Sequence, residues 1–264
     1  SLTDYSTEEE LYAALVLGVK DYVGKNGFKG VVIGLSGGID SALTLAIAVD
    51  ALGSNRVEGV TMPSRYSADM SAEDAESEAR RVGILFRSIS IEPTFNAFMQ
   101  SLEGEFSGYG VDVTEENIQA RCRGVILMAI ANKKRLMVLT TGNKSELAVG
   151  YSTLYGDMAG GFAPLKDLSK QMVYRLAEWR NSDALAKGED LVIPQRVIER
   201  PPSAELAPDQ QDSDSLPEYE VLDQILELYV EQDSCVTDIV AAGFEQELVE
   251  RITRMVDRNE HKRR

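Results

Sequence analysis

The sequence predicts an α/β fold: a doubly wound, mostly parallel five-stranded sheet with helices on both faces, followed by a C-terminal helical extension. Three observations carry that prediction. Residues 31–35 form a short, β-branched apolar run bounded by glycine, the pattern of a parallel strand buried on both sides. The run breaks at Ser36-Gly37-Gly38-Ile39-Asp40-Ser41, and helical spacing resumes at Ala42 and continues through Leu52. Further short apolar runs alternate with helix-length segments, which implies right-handed crossovers and a sheet covered on both faces.

Taken in order, Thr7-x-x-Glu10 is a capping box, and Leu11, Leu15 and Tyr22 follow at helical spacing up to Gly27. After the central strand and helix, 57–62 is a second strand ending in Pro63-Ser64-Arg65-Tyr66-Ser67. Residues 71–82, rich in Glu and Ala, form a surface helix; 84–91 is a third strand, 94–102 a short helix and 104–113 a loop. The longest helix spans 115–134, apolar at Ile118, Cys122, Val125, Ile126 and Ala129. Residues 135–139 give a fourth strand. The glycine-punctuated stretch 140–168 is too long for a routine connection and marks a functional segment. Ser169 caps a helix to Arg180, 200–217 is a Pro- and Asp-rich flexible flap, and helices at 218–231, 234–241 and 245–260 make up a helical tail over 218–264. The whole of 1–264 reads as one domain without internal repeats.

Composition narrows the function classes. A formal charge of −16 keeps the chain soluble and argues against a general nucleic-acid or anionic-membrane surface. The 44% hydrophobic content is enough for a proper core. No apolar run approaches the ~20 residues of a membrane-spanning helix, and the acidic start SLTDYSTEEE has no apolar signal core. Cys122 and Cys235 are far apart and form no C-x-x-C, so neither a zinc site nor a disulfide framework is indicated and a reducing cytoplasm fits.

The glycine turn carries the chemistry. A strand, a glycine-rich turn and a helix start make a cradle for phosphate, because glycine lets the backbone approach an anion and the first helical N–H groups are unpaired. The competing reading is a plain helix cap by Asp40 or Ser41. Neither G-x-x-x-x-G-K-[ST] nor G-x-G-x-x-G is present at this turn, which excludes the lysine-bearing phosphate loop and the dinucleotide crevice. Ligands of such sheets sit beyond the carboxyl ends of the strands. That rule gathers SGGIDS, PSRYS and TTGNKSE on one rim.

The string SGGIDS resembles the pyrophosphate-binding loop of the ATP pyrophosphatases, and the rest of the chain resembles the NAD synthetase family. The supporting strings are NIQAR at 117–121, TTGNKSE at 140–146, YGDMAGG at 155–161, LSK at 168–170, PPSAEL at 201–206 and EHKR at 260–263. The resemblance covers nearly the whole length and implies an adenine nucleotide alpha hydrolase-like fold. Several strings are similar to the synthetase half of glutamine-dependent members, in which a nitrilase-type amidase domain comes first. No such domain is in this sequence, and the missing initiator Met suggests a chain cut from something longer.

The family joins ammonia, free or derived from glutamine, to the nicotinate carboxylate of deamido-NAD. ATP activates the carboxylate by adenylation and leaves as pyrophosphate and AMP. A helix dipole contributes only ~0.3–1 kcal/mol, so cations must hold the phosphates. By resemblance, Asp40 and Glu146 hold Mg²⁺ and Lys170 meets phosphate oxygens, these three being the catalytic set. ATP contacts are implied at Gly34, Ser36, Gly37, Gly38, Ser41, Met62 and Thr141, with Ser203 closing over the phosphates. Asn117, Arg121, Glu146, Asp157, His261 and Lys262 are implied for deamido-NAD.

Departures from the ammonia-dependent branch are Leu154 and Gly161, where that branch carries a lysine and a second acid, and Thr61, where it carries an arginine that Arg65 could replace. A homodimer is the family's usual state, and the helix at 115–134 is a candidate interface. Alternatives are another amidotransferase of the GMP-synthetase type, or a non-catalytic adenine-nucleotide module.

Overall fold

The computed structural model describes residues 6–207 and 210–263. The first five residues of the acidic start and two residues of the 200–217 flap lie outside it. Elements follow the predicted order: α1 (Thr7–Lys25), β1 (Val31–Gly34), α2 (Ile39–Leu52), β2 (Val57–Thr61), α3 (Asp69–Arg81), β3 (Leu85–Ser88), α4 (Glu92–Leu102), α5 (Val113–Lys134) and β4 (Met137–Leu139). Then come α6 (Lys144–Val149), α7 (Lys170–Ala186), α8 (Gln195–Glu199), α9 (Tyr219–Leu226), α10 (Val236–Ala241) and α11 (Gln246–Arg258).

Among the described residues the sheet has four strands, in the order β3-β2-β1-β4, and every pair is parallel. The expected count of five strands is therefore corrected to four; past β4 the sheet gains only one bridge, Leu139 to Phe162. Gly161 N donates to Val138 O at 2.9 Å and Thr140 N to Phe162 O at 3.0 Å. Pro164 follows two residues later and has no N–H to extend the ladder.

The strand register sorts side chains by parity, as a two-sided sheet requires. Val31 and Ile33 face a core built with α1, α2 and α7, while Val32 faces a second core with α4 and α5; all three are fully buried. A third apolar cluster unites α6 with α9, α10 and α11, so the helical tail is packed onto the rim of the sheet.

Local chemistry accounts for most boundary differences. Ser6, one residue before the predicted box, caps α1 by accepting from Glu9 N at 3.2 Å. Asp112 and Glu115 form a reciprocal box at the start of α5. Helix α7 runs past Arg180 to Ala186 because Val173, Leu176, Ala177 and Ala184 keep one buried stripe. Helix α8 was not predicted; five residues give too short a period to read. No described helix is long and apolar enough to cross a membrane.

Candidate active site

The carboxyl ends of the strands open into a cavity of about 860 Å³, lined from the glycine turn, α5, the 139–170 segment, the flap and the C-terminal tail. Its first end is built by β1 and α2. Gly38, not Asp40 or Ser41, occupies the position before α2 and makes no side-chain cap bond. The plain-cap reading therefore fails for Asp40, whose carboxylate is used elsewhere.

Asp40 Oδ2 accepts from Lys170 Nζ at 2.5 Å, and Glu146 Oε1 accepts from the same ammonium at 2.8 Å. Three segments meet in this cluster, the first turns of α2, α6 and α7. Asn143 welds two of them: its Oδ1 caps α6 by accepting from Glu146 N at 3.0 Å, and its Nδ2 donates to Asp40 Oδ1 at 2.8 Å. Ser145 Oγ accepts from Lys170 N at 2.9 Å. Lys170 is 1% exposed. Burial works against its ammonium, yet Asp40 and Glu146 outweigh that and raise its pKa above the ordinary lysine value. Burial pushes the Glu146 carboxyl up from the usual carboxylate range, with Lys170 opposing.

The two carboxylates already converge on one positive charge, and both are hard oxygen donors. That donor set fits a divalent cation such as Mg²⁺, which commonly takes one or two protein carboxylates and completes its shell from phosphate and water. No group of three or more His, Cys, Asp or Glu side chains that could hold a metal occurs among the described residues. Any such ion would draw the rest of its shell from its ligands.

The turn itself is braced internally. Ser41 Oγ donates to Gly38 O at 2.9 Å and lies 3.2 Å from Ser36 Oγ, which accepts from Gly38 N at 3.2 Å. Gly34, Ser36, Gly38, Met62 and Thr141 line the cavity. Ser41 is buried behind the turn and Gly37 faces α3, so these two predicted ATP contacts lie outside the lining. Ser203 lines the cavity from the flap, its hydroxyl bonded to Gln210 O.

The opposite end is held by main-chain carbonyls. Lys262 Nζ donates to Gly150 O at 2.6 Å and Ser152 O at 2.8 Å. Asp157 accepts from Thr153 N at 2.9 Å, and both Lys262 and Asp157 line the cavity. Asn117 and Arg121 do not line it. Asn117 Oδ1 accepts from Thr153 Oγ1 at 2.9 Å, and Arg121 Nε donates to Leu154 O at 3.2 Å, so both brace the loop from behind. His261 is exposed and bonds Arg258 O at 3.1 Å, outside the lining.

Sequence reading missed several polar groups of this site. Arg123 lines the cavity and is fixed by Met62 O at 3.0 Å. At roughly 100° per residue it points almost opposite to Arg121, so choosing between them needed the helix's orientation. Buried Asp212 accepts from Tyr219 Oη at 2.7 Å, and the Lys170 ammonium lies 5.3 Å from the Tyr219 ring centre. Both come from the flap and tail, far beyond Glu146 in the chain, with no local motif to announce them.

A parallel sheet whose central strand ends in a paired-glycine turn, beside an acid–lysine–acid cluster in one cavity, defines an α/β protein with a rim site at the carboxyl ends of its strands. A family model described as NAD synthase matches residues 11–264, and the chain belongs to that family. It is 56% identical over 258 residues to a glutamine-dependent NAD(+) synthetase of Acinetobacter baylyi, covering 98% of this chain and 47% of the relative.

Among solved structures, a glutamine-dependent NAD+ synthetase from Acinetobacter baumannii in complex with ADP matches with a TM-score of 0.73 at 52% identity, covering all of this chain and 47% of the other. An NMN synthetase from Francisella tularensis matches with a TM-score of 0.82 at 29% identity, covering 99% and 97%. The chain spans about half the length of the curated relatives it matches. The family resemblance read from the sequence is borne out.

Proposed function

We propose that this chain makes NAD from deamido-NAD, ATP and ammonia. The nicotinate carboxylate attacks the α-phosphate of ATP and expels pyrophosphate; ammonia then attacks the acyl adenylate and expels AMP. A carboxylate alone is a poor acceptor for an amine, and the adenylate supplies a leaving group.

The observation that carries this reading is the Asp40–Lys170–Glu146 cluster beside the glycine turn, in one cavity with Lys262 from the tail and Asp157 from the 139–170 segment. One end suits a leaving pyrophosphate; the other suits a second nucleotide. Lys170 supplies positive charge to phosphate oxygens, and the unpaired N–H groups at the start of α2 add a fixed dipole. Asp40 and Glu146 would hold Mg²⁺, which when bound neutralises phosphate charge. The long half of the relatives that this chain does not match is the proposed source of ammonia from glutamine. A homodimer through α5 is supported by its exposed Val125 and Met128, and sedimentation measures it.

The test is an omission series with protein, ATP, Mg²⁺, ammonia and deamido-NAD. NAD and AMP are expected together and only in the complete mixture. Turnover of xanthosine monophosphate, or nucleotide binding without turnover, would overturn the reading. Asp40→Asn is expected to cut turnover about 10²–10³-fold, as loss of one transition-state charge contact does.

A further inference from the structure

Arg200, the residue that ends α8 and opens the flap, is part of the cavity lining and reaches from it to the side of the glycine turn that faces α3. Its Nη2 donates to Gly37 O at 3.1 Å, and its Nη1 donates to Ser71 Oγ at 2.9 Å in the first turn of α3. Ser71 gives its own hydroxyl proton to Glu205 Oε1, and Glu205 Oε2 accepts from Ala68 N at 3.2 Å. Asp74 Oδ2, buried and without a hydrogen-bond partner, lies 3.8 Å from the guanidinium, and Glu205 Oε1 lies 3.9 Å from it.

The contact to Gly37 matters because a peptide unit is planar and trans. Its C=O and N–H point in opposite directions. With the Gly37 carbonyl drawn toward Arg200, the Gly38 N–H of the same peptide is turned to the Ser36 side, where it donates to Ser36 Oγ at 3.2 Å. Ser36 and Gly38 line the cavity; Gly37 does not. A flipped peptide would present a carbonyl dipole to an anion in place of an N–H.

The turn has no slack with which to tolerate a looser tie. Gly37 sits at φ +78°, and a Cβ there would lie 2.2 Å from Ser71 O. Backbone therefore packs on backbone, and one guanidinium joins turn, helix and flap. A lysine could neutralise the same acids but could not fork to two acceptors on separate elements.

We propose that Arg200 is a positioning residue for the phosphate-binding turn: it fixes the Gly37–Gly38 peptide with its N–H toward the cavity, and so makes seating of the 201–206 flap and readiness for pyrophosphate one event. The proposal rests on the turn being the pyrophosphate site of the function proposed above. It does not require that the acceptor be deamido-NAD.

The experiment compares wild type with Arg200→Lys and Arg200→Ala. It reads inorganic pyrophosphate binding by calorimetry, hydrogen exchange of the 36–41 segment, and the separate KM values for ATP and deamido-NAD. Both variants are expected to weaken pyrophosphate binding and raise the ATP KM about tenfold, the effect of one charge-assisted hydrogen bond. The deamido-NAD KM should stay within about twofold, and exchange at 36–41 should speed up.

Wild-type pyrophosphate binding in Arg200→Lys would overturn the proposal, since charge alone would then suffice. Equal loss for both substrates with unaltered exchange at 36–41 would overturn it as well. If Arg200→Ala does not fold, Arg200→Lys carries the test. Pyrophosphate binding and exchange are read without an acceptor, so a wild type that binds pyrophosphate in an Arg200-dependent way but makes no NAD would sink the amidation reading and leave this one standing.

Discussion

The two ends of the cavity are held by different forces. At the glycine-turn end, a cation sits between carboxylates: Lys170 between Asp40 and Glu146, with Arg196 on Asp74 along the supporting helix. At the far end, cations are held by neutral carbonyls. Lys262 bonds Gly150 and Ser152, Arg263 bonds Val256 at 3.1 Å and also Ala148, and Arg121 bonds Leu154. Paired charges buried together are costly to separate, whereas a cation on carbonyls keeps its net charge available to a ligand. The first end is thus built for strong local charge, the second for placing a loop.

Lys170→Met should break that contrast with the largest effect. It leaves two partly buried carboxylates facing each other, and removing one partner of a buried pair costs at most about 3–5 kcal/mol. Turnover should fall about 10²–10³-fold, and denaturant unfolding should show the stability loss. Lys262→Met, by contrast, should leave unfolding nearly unchanged while raising the KM for the dinucleotide. Equal destabilisation by the two changes would erase the distinction.

The same contrast explains what the sequence could disclose. The glycine-turn end was legible because Ser36 to Ser41 is one continuous string between a strand and a helix, and because Ser169 reads as the cap of α7; Glu146 and Lys170 themselves came from the family resemblance, and the Asn143 cap of α6 emerged only in the structure. The far end is assembled from carbonyls, which every residue carries, so nothing in the side-chain code marks Gly150 or Ser152 as partners of Lys262, 112 and 110 residues away. Arg121 and Asn117 were found by family resemblance, yet they stand behind the loop, not in the cavity. The sheet was legible from its apolar runs. The count of five was one too many: the apolar runs supply four strands, and past β4 the sheet gains only a single bridge at Phe162.

A second prediction tests whether every charge supporting the first end is paired. Ser71, Asp74 and Glu78 lie on one face of α3, three and four residues apart. The first two are bonded, but Glu78 Oε1 is buried without a hydrogen-bond partner and the residue is 2% exposed. Burial pushes its carboxyl up to about 8, with Arg81 opposing. The folded state therefore keeps a proton that the unfolded chain, near the usual 4.5, has released. That contribution to stability is complete below about pH 4.5 and is lost as pH rises through about 8. Unfolding free energy should fall with pH in this window by at most about 1.4 kcal/mol per unit, and Glu78→Gln should flatten the slope. A slope unchanged by the substitution would mean that the carboxyl finds a partner.

The smallest effect expected is also the one most specific to the far end. Gly150 closes α6 at φ +74°, and a Cβ there would lie 2.1 Å from Asn259 Cγ, whose amide donates to Val149 O at 3.0 Å. Gly150→Ala should cost about 1–2 kcal/mol for the left-handed backbone alone, and the collision should lift the 259–263 tail, carrying Lys262 with it. The KM for deamido-NAD should then rise while that for ATP holds. Adding Asn259→Ala removes the collision but not the backbone strain, so the double variant should regain dinucleotide affinity without regaining all the stability. If the double variant regains neither, the tail is not what sets the loop, and the two ends differ in less than their bonding suggests.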